Sequence, residues 1–176
     1  MKRKPYTNDR KSRIVGGSQR MLTAGIFDVD GVLLASPHER AWRDALDGFA
    51  ERERFTTAMY QSHVAGKPRL DGARSALEAL GVRDAQGRAA AYAQRKQARL
   101  EMLIQTGAVA AYPDALRFVE AVAALGWPMA VASSSRNATD MMRSVILSTG
   151  QSLLDIFPVN VSGRDLKHGK PDPELF

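Results

Sequence analysis

Cysteine is absent from the 176 residues, aromatic side chains make up only 7%, and there are three histidines. Without cysteine there can be no disulfide, no thiolate nucleophile and no cysteine-ligated zinc. No apolar run approaches the roughly 20 residues that a membrane-spanning helix needs. The basic N-terminus is not followed by an apolar stretch, so a secretory signal is not expected. The expectation is a soluble, cytoplasmic chain with no membrane partner.

What is present reads as globular material, 44% apolar and 25% charged. The length suits one domain carrying a smaller insert. The net charge of +6 is concentrated in residues 1–20, which hold seven basic side chains against the single acid Asp9. Residues 21–176 hold 18 basic and 18 acidic side chains. The tail therefore reads as a solvated, disordered extension, and no nucleic-acid partner is expected.

Hydrophobic periodicity orders the remainder. Met21 to Val29 reads as a buried strand and Leu33 to Pro37 as a connection. Trp42, Ala45, Leu46 and Phe49 recur on one face of a helix. Helices follow over Phe55–Val64, Asp71–Leu80 and Ala85–Gln105, with Gly81 as a C′ residue. Asp114 is the expected N-cap of a helix whose apolar face is Phe118, Val119, Val122 and Leu125. A strand over Pro128–Ala132, a helix over Asn137–Leu147 and a strand over Phe157–Val161 complete the pattern. A helical start is expected at Glu174-Leu175-Phe176. Strands alternating with helices argue for a parallel α/β core, interrupted after the first strand by about 70 helical residues. The expected division is a core of residues 21–36 and 107–176 with an insert over 37–106.

The chemistry concentrates in Asp28-Val29-Asp30-Gly31-Val32. Residues i and i+2 of a strand share a face, so both carboxylates are expected at the carboxyl edge of the sheet, where open α/β folds bind ligands. One acid can serve as nucleophile and the other as general acid/base, and the two can hold Mg²⁺. An EF-hand calcium loop is excluded, because no Glu stands at its twelfth position. A hydroxyl cluster, Ser133-Ser134-Ser135, ends the second strand, and Lys170 follows the third.

In that order the motifs resemble those of the haloacid dehalogenase (HAD) superfamily, and within it the β-phosphoglucomutase-like sugar-phosphate enzymes. Phe27-Asp28-Val29-Asp30-Gly31-Val32-Leu33 resembles the first family motif. Val131-Ala132-Ser133-Ser134-Ser135-Arg136-Asn137 resembles the second, and Gly169-Lys170-Pro171-Asp172-Pro173 the third. The resemblance implies a HAD-like Rossmannoid parallel sheet with a helical cap inserted after the first strand. It implies Asp28 as the nucleophile that becomes an aspartyl-phosphate. Asp30 is implied as acid/base, Ser133 as a phosphoryl hydrogen-bond donor and Lys170 as the neutralising cation. Mg²⁺ would be held by the Asp28 side chain and the Asp30 carbonyl.

The substrate implied is a small phosphorylated sugar. In Gly66-Lys67-Pro68-Arg69, Gly66 and Arg69 match a cap loop whose Arg grips the second, non-transferring phosphate. Ser134, Ser135, Arg136 and Asn137 approach that phosphate from the core. Lys96 matches a cap lysine that meets substrate, and His38 a histidine beside the hinge. Leu34-Ala35-Ser36-Pro37-His38 is about two residues shorter than the family's linker and lacks its acid. The family's fourth motif, which adds further metal-binding acids, does not occur before Phe176. The expectation is thus an incomplete core, with a full-length form that is monomeric. The alternative is a catalytically weak relative that keeps only a phosphate-binding pocket.

Overall fold

A computed structural model describes residues 22–168, 170 and 172–176. The basic tail, Met21, Gly169 and Pro171 lie outside the described residues.

Three short strands form a parallel sheet in the order β1–β4–β5, namely Gly25–Phe27, Met129–Val131 and Val159–Asn160. The register sets Phe27 opposite Val131, and Val131 opposite Asn160. Hydrogen bonds from Ala132 N to Phe27 O (2.8 Å) and from Val161 N to Val131 O (3.0 Å) extend the pairing to the strand ends. All three strands therefore stop at one level, and the loops beyond them share one edge. Burial concentrates on the central strand, where Met129 and Val131 are buried, while Val159 and Asn160 of β5 are exposed.

The first strand is shorter than its apolar run suggests. It ends at Phe27, and Asp30 meets Leu34 only as an isolated bridge. The amides of Leu33 and Leu34 both donate to Val29 O, and Gly31 takes a φ of +77°, closing a tight turn. The expectation that the pleat orients Asp28 and Asp30 is thereby corrected: the turn presents them.

The linker Leu33–Pro37 is more than a connection. Leu34–Ala35 (β2) pairs antiparallel with Ala110–Ala111 (β3), so both passages between core and insert run through one ribbon. Two-residue strands carry no period to detect in sequence, and only the pairing makes them strands.

Between the two passages lie α1 (His38–Asp44), α2 (Thr57–His63), α3 (Arg69–Ala79) and α4 (Ala85–Gln105). The second helix starts later than expected because the Thr56 hydroxyl accepts the Met59 amide, capping it there. Trp42, Ala45, Leu46, Phe55, Leu77 and Tyr92 belong to a separate apolar cluster of this insert. The Tyr92 hydroxyl donates to Trp42 O at 2.8 Å within it. The long helix α4 contributes Ala85, Ala89, Tyr92 and Ala93 to that cluster. Its last turns contribute Leu100, Leu103 and Ile104 to the core cluster with Phe27, Val29 and Val131.

Helix α5 (Pro113–Ala124) begins on Pro113, with Tyr112 in the N-cap position and Asp114 in the first turn. Proline suits N1 because that amide needs no partner, so the expected Asp114 cap gives way. Val119 and Val122 are buried, but Phe118 is 62% exposed and Leu125 64%. The four-residue apolar face expected there is only half used. Helix α6 spans Ala138–Ser144, since Val145 turns extended and Ile146 bridges to Ser152. Pro173–Leu175 is a single 3-10 turn.

Among the described residues β1 has a sheet partner on one side only, and Ile26 on it is 58% exposed. An apolar strand edge is a template for pairing with another chain. The chain is expected to self-associate as concentration rises, and Ile26→Lys to reduce this, as read by light scattering at equal concentration. Unchanged scattering would remove β1 as the adhesive edge.

Candidate active site

Asp28, Asp30, Ser133 and Lys170 all arrive from loops at the carboxyl edge of the sheet. Asp28 Oδ1 accepts the Val29 amide at 2.8 Å, and Lys170 Nζ donates to Asp28 Oδ2 at 2.7 Å. The contact joins residues 142 apart in sequence. Both side chains are about one-third exposed, so the pair is open to a ligand and screened by water. Ser133, 2% exposed, accepts the Ser135 amide on its Oγ at 3.1 Å. Its own hydroxyl proton stays available to an oxygen in front of the strand.

Asp30 faces the insert. His38 Nε2 stands 3.5 Å from Asp30 Oδ1, longer than a closed hydrogen bond. That oxygen is buried with no hydrogen-bond partner. Burial pushes the Asp30 carboxyl up, but His38 and the Ser36 and Ser135 hydroxyls around it outweigh this and hold it below its usual value.

On the other side of the imidazole, Lys96 Nζ lies 2.9 Å from His38 Nδ1. An ammonium only donates, so Nδ1 is the acceptor and the ring proton sits on Nε2, toward Asp30. Lys96 is 4% exposed and rests 5.1 Å from the centroid of the Trp42 ring. Burial above all, and Arg69 secondarily, drive its pKa down to about 8, with Asp30 pulling the other way. The helix that carries it is rich in charge, but this position is on the face that α1 covers.

The remaining expected residues group less tightly. Arg69, exposed at the start of α3, lines an open hollow of about 530 Å³ with Ala93, Gln94, Gln97 and Glu101. Gly66, with a φ of +76°, makes the turn that precedes it. Asn137 touches the insert directly, its Oδ1 accepting Gln97 Nε2 at 2.8 Å. Ser135 Oγ accepts the Asn137 amide at 3.3 Å. Ser134 is exposed. Arg136 is exposed and paired with Asp165, so its guanidinium is engaged by the loop after β5. Gln97 and Ser36 were not singled out from sequence. A polar residue next to Lys96 on α4 was the available signal for Gln97; nothing local marks Ser36.

Asp28 supplies a carboxylate. The Asp30 carbonyl takes no part in the bonds that close its turn. Such hard oxygen donors fit Mg²⁺, which keeps several waters when protein supplies few ligands. Among the described residues the only trio of His, Cys, Asp or Glu ligand atoms within 4.8 Å is His168, Asp172 and Glu174, which includes neither of these two acids. The Glu174 carboxylate there accepts the Lys167 and His168 amides.

A parallel sheet with an acid turn, a hydroxyl loop and a lysine at its carboxyl edge, facing a helical insert, defines one class. The model of the haloacid dehalogenase-like hydrolases matches residues 23–176, and the chain belongs to that family. It is 34% identical to a β-phosphoglucomutase of Mycobacterium bovis over 98% of this chain and 73% of that protein. It is 26% identical to a phosphorylated carbohydrates phosphatase of Thermotoga maritima, over 88% of this chain and 68% of that one. Among solved structures, the β-phosphoglucomutase of the archaeon Pyrococcus sp. superposes with a TM-score of 0.63 at 30% identity. That match covers 80% of this chain, which spans 64% of the archaeal one.

A buried lysine costs stability whenever it must be charged. The unfolded chain binds more protons than the folded one between about pH 8 and 10.5, so stability rises with pH across that window. Lys96→Met is expected to stabilise the chain at pH 7 by on the order of 2 kcal/mol, read as a higher urea midpoint. The gain should shrink toward zero near pH 10.5. A destabilised variant at pH 7 would mean that His38 and Trp42 more than offset the burial.

Proposed function

We propose that the chain catalyses Mg²⁺-dependent phosphoryl transfer on a small sugar phosphate through an aspartyl-phosphate on Asp28. The observation that carries this is the Lys170–Asp28 contact, which sets a cation against a carboxylate at the mouth of the site. Phosphoryl transfer needs mostly positioning and charge stabilisation. A carboxylate oxygen of Asp28 attacks phosphorus, and the bond to the leaving sugar oxygen breaks. Lys170 and the Ser133 hydroxyl hold the phosphoryl oxygens during the transfer. Asp30 gives a proton to the leaving oxygen, then takes one from the water or sugar hydroxyl that attacks the aspartyl-phosphate. That second attack frees Asp28.

Its lowered pKa suits Asp30 to the proton-accepting step; for the donating step it must first take up a proton, which the negative charge of a bound sugar phosphate favours. His38 and Lys96 tie this carboxylate to the insert, so closing the insert over a substrate changes the surroundings of the acid/base. Mg²⁺, held by Asp28 and the Asp30 carbonyl, would offset negative charge on the phosphoryl group. Arg69 from the insert and Ser135 and Asn137 from the core suit a second phosphate. They favour substrates that carry two anionic groups. The names of the mycobacterial and Thermotoga relatives support phosphorylated carbohydrates as the class.

A second reading is favoured by one observation. Among the described residues no third carboxylate joins Asp28 and Asp30 within metal-binding distance. The chain would then bind sugar phosphates but turn them over weakly. The deciding measurement is release of inorganic phosphate from a hexose bisphosphate, with and without Mg²⁺. Turnover that needs Mg²⁺ and falls by roughly 10³-fold or more in Asp28→Asn supports catalysis. Binding of the sugar phosphate without Mg²⁺-dependent release supports the second reading.

A further inference from the structure

We propose that Gln97 is a positioning residue that fixes the side-chain amide of Asn137 with its NH₂ group toward the second phosphate. This rests on the reading of Asn137 as a phosphate-binding residue and adds what orients it. The two residues meet where α4 of the insert crosses the loop before α6.

Glu101, one helical turn beyond Gln97, starts the argument. A carboxylate only accepts hydrogen bonds, so the group that faces it at 2.8 Å must be the Gln97 NH₂. The same nitrogen donates its other hydrogen to Asn137 Oδ1, also at 2.8 Å. Reversing the Gln97 amide would set its carbonyl oxygen against the carboxylate. Reversing the Asn137 amide would set two NH₂ groups against each other. Polarity thus propagates in one direction, from Glu101 through Gln97 to Asn137.

The consequence falls on the far side of Asn137. With Oδ1 engaged, Nδ2 is left as a donor, and it has no hydrogen-bond partner among the described residues. An asparagine free to rotate would offer an anion its carbonyl oxygen as readily as its NH₂. The cost of the arrangement is visible on Gln97 itself, whose Oε1 is buried with no partner. A lone glutamine would not choose that orientation, and the contacts to Glu101 and Asn137 impose it.

The test is a binding cycle in an Asp28→Asn background, which blocks turnover, titrating a hexose bisphosphate by calorimetry. Gln97→Glu replaces the donor by an acceptor and turns the Asn137 amide around. It is expected to weaken binding roughly tenfold, the scale of one hydrogen bond to a charged group. Gln97→Leu removes the donor without adding charge and gives a smaller loss. Both losses should fall below about twofold when Asn137 is also Ala, because there is no amide left to orient.

A Gln97→Glu loss that persists beside Asn137→Ala is charge repulsion and overturns the proposal. A loss on Asn137→Ala with none on either Gln97 variant overturns it while leaving Asn137 a phosphate ligand. No loss on Asn137→Ala, or no binding in any variant, removes the phosphate reading of Asn137 and this inference with it.

Discussion

The parallel register of β1, β4 and β5 is the constraint from which the site follows. Because Phe27, Val131 and Asn160 lie side by side, each chain segment leaves the sheet at the same level. An acid turn, a serine loop and a lysine loop, from distant parts of the sequence, are delivered to one edge. A sheet of only two or three residues per strand suffices, because the backbone bonds of Ala132 and Val161 carry the alignment to where the side chains begin. The Lys170–Asp28 contact is a result of this alignment. An exposed pair of this kind is too weak to cause it.

Helix α4 is the second organising element. One end packs among insert residues and the other among core residues, so a single rigid rod belongs to two apolar clusters. Lys96 and Gln97 sit between those two ends. One reaches His38 and through it Asp30; the other reaches Asn137. The insert therefore meets Asp30, the proposed acid/base, and the loop proposed to bind the second phosphate through adjacent residues of one helix. Burial of Lys96 lowers its pKa, so the cost of charging it falls on folding.

Much of this was legible in the residues. Motif and order singled out Asp28, Asp30, Ser133 and Lys170, which the fold brings to one sheet edge, and long periodic segments such as Ala85–Gln105 kept their expected limits. The misses have a common physical cause. The β2–β3 ribbon has no meaning within either dipeptide, since a strand of two residues exists only by pairing. Phe118 and Leu125 have the spacing of a buried face, yet Phe118 meets the core only through an edge-on contact with Phe27 at 6.0 Å, and the two stay 62% and 64% exposed. Asp114 lost the cap position to Tyr112 because Pro113 is better suited to N1 than to a place beyond it.

Sequence by itself determined the chemistry carried by each loop and the alternation that demands a parallel sheet, because motifs and periods are local properties of a chain. Tertiary structure alone decided partnership. Lys96 stood out in sequence only by resemblance, and its burial is decided where α1 closes over it. Arg136 reads as an anion ligand, and only the fold sets it beside Asp165 in an exposed pair; Gln97 is silent until Glu101 and Asn137 meet it. Contacts between residues 29, 40 or 58 positions apart depend on where folding brings their backbones, and no local pattern encodes them.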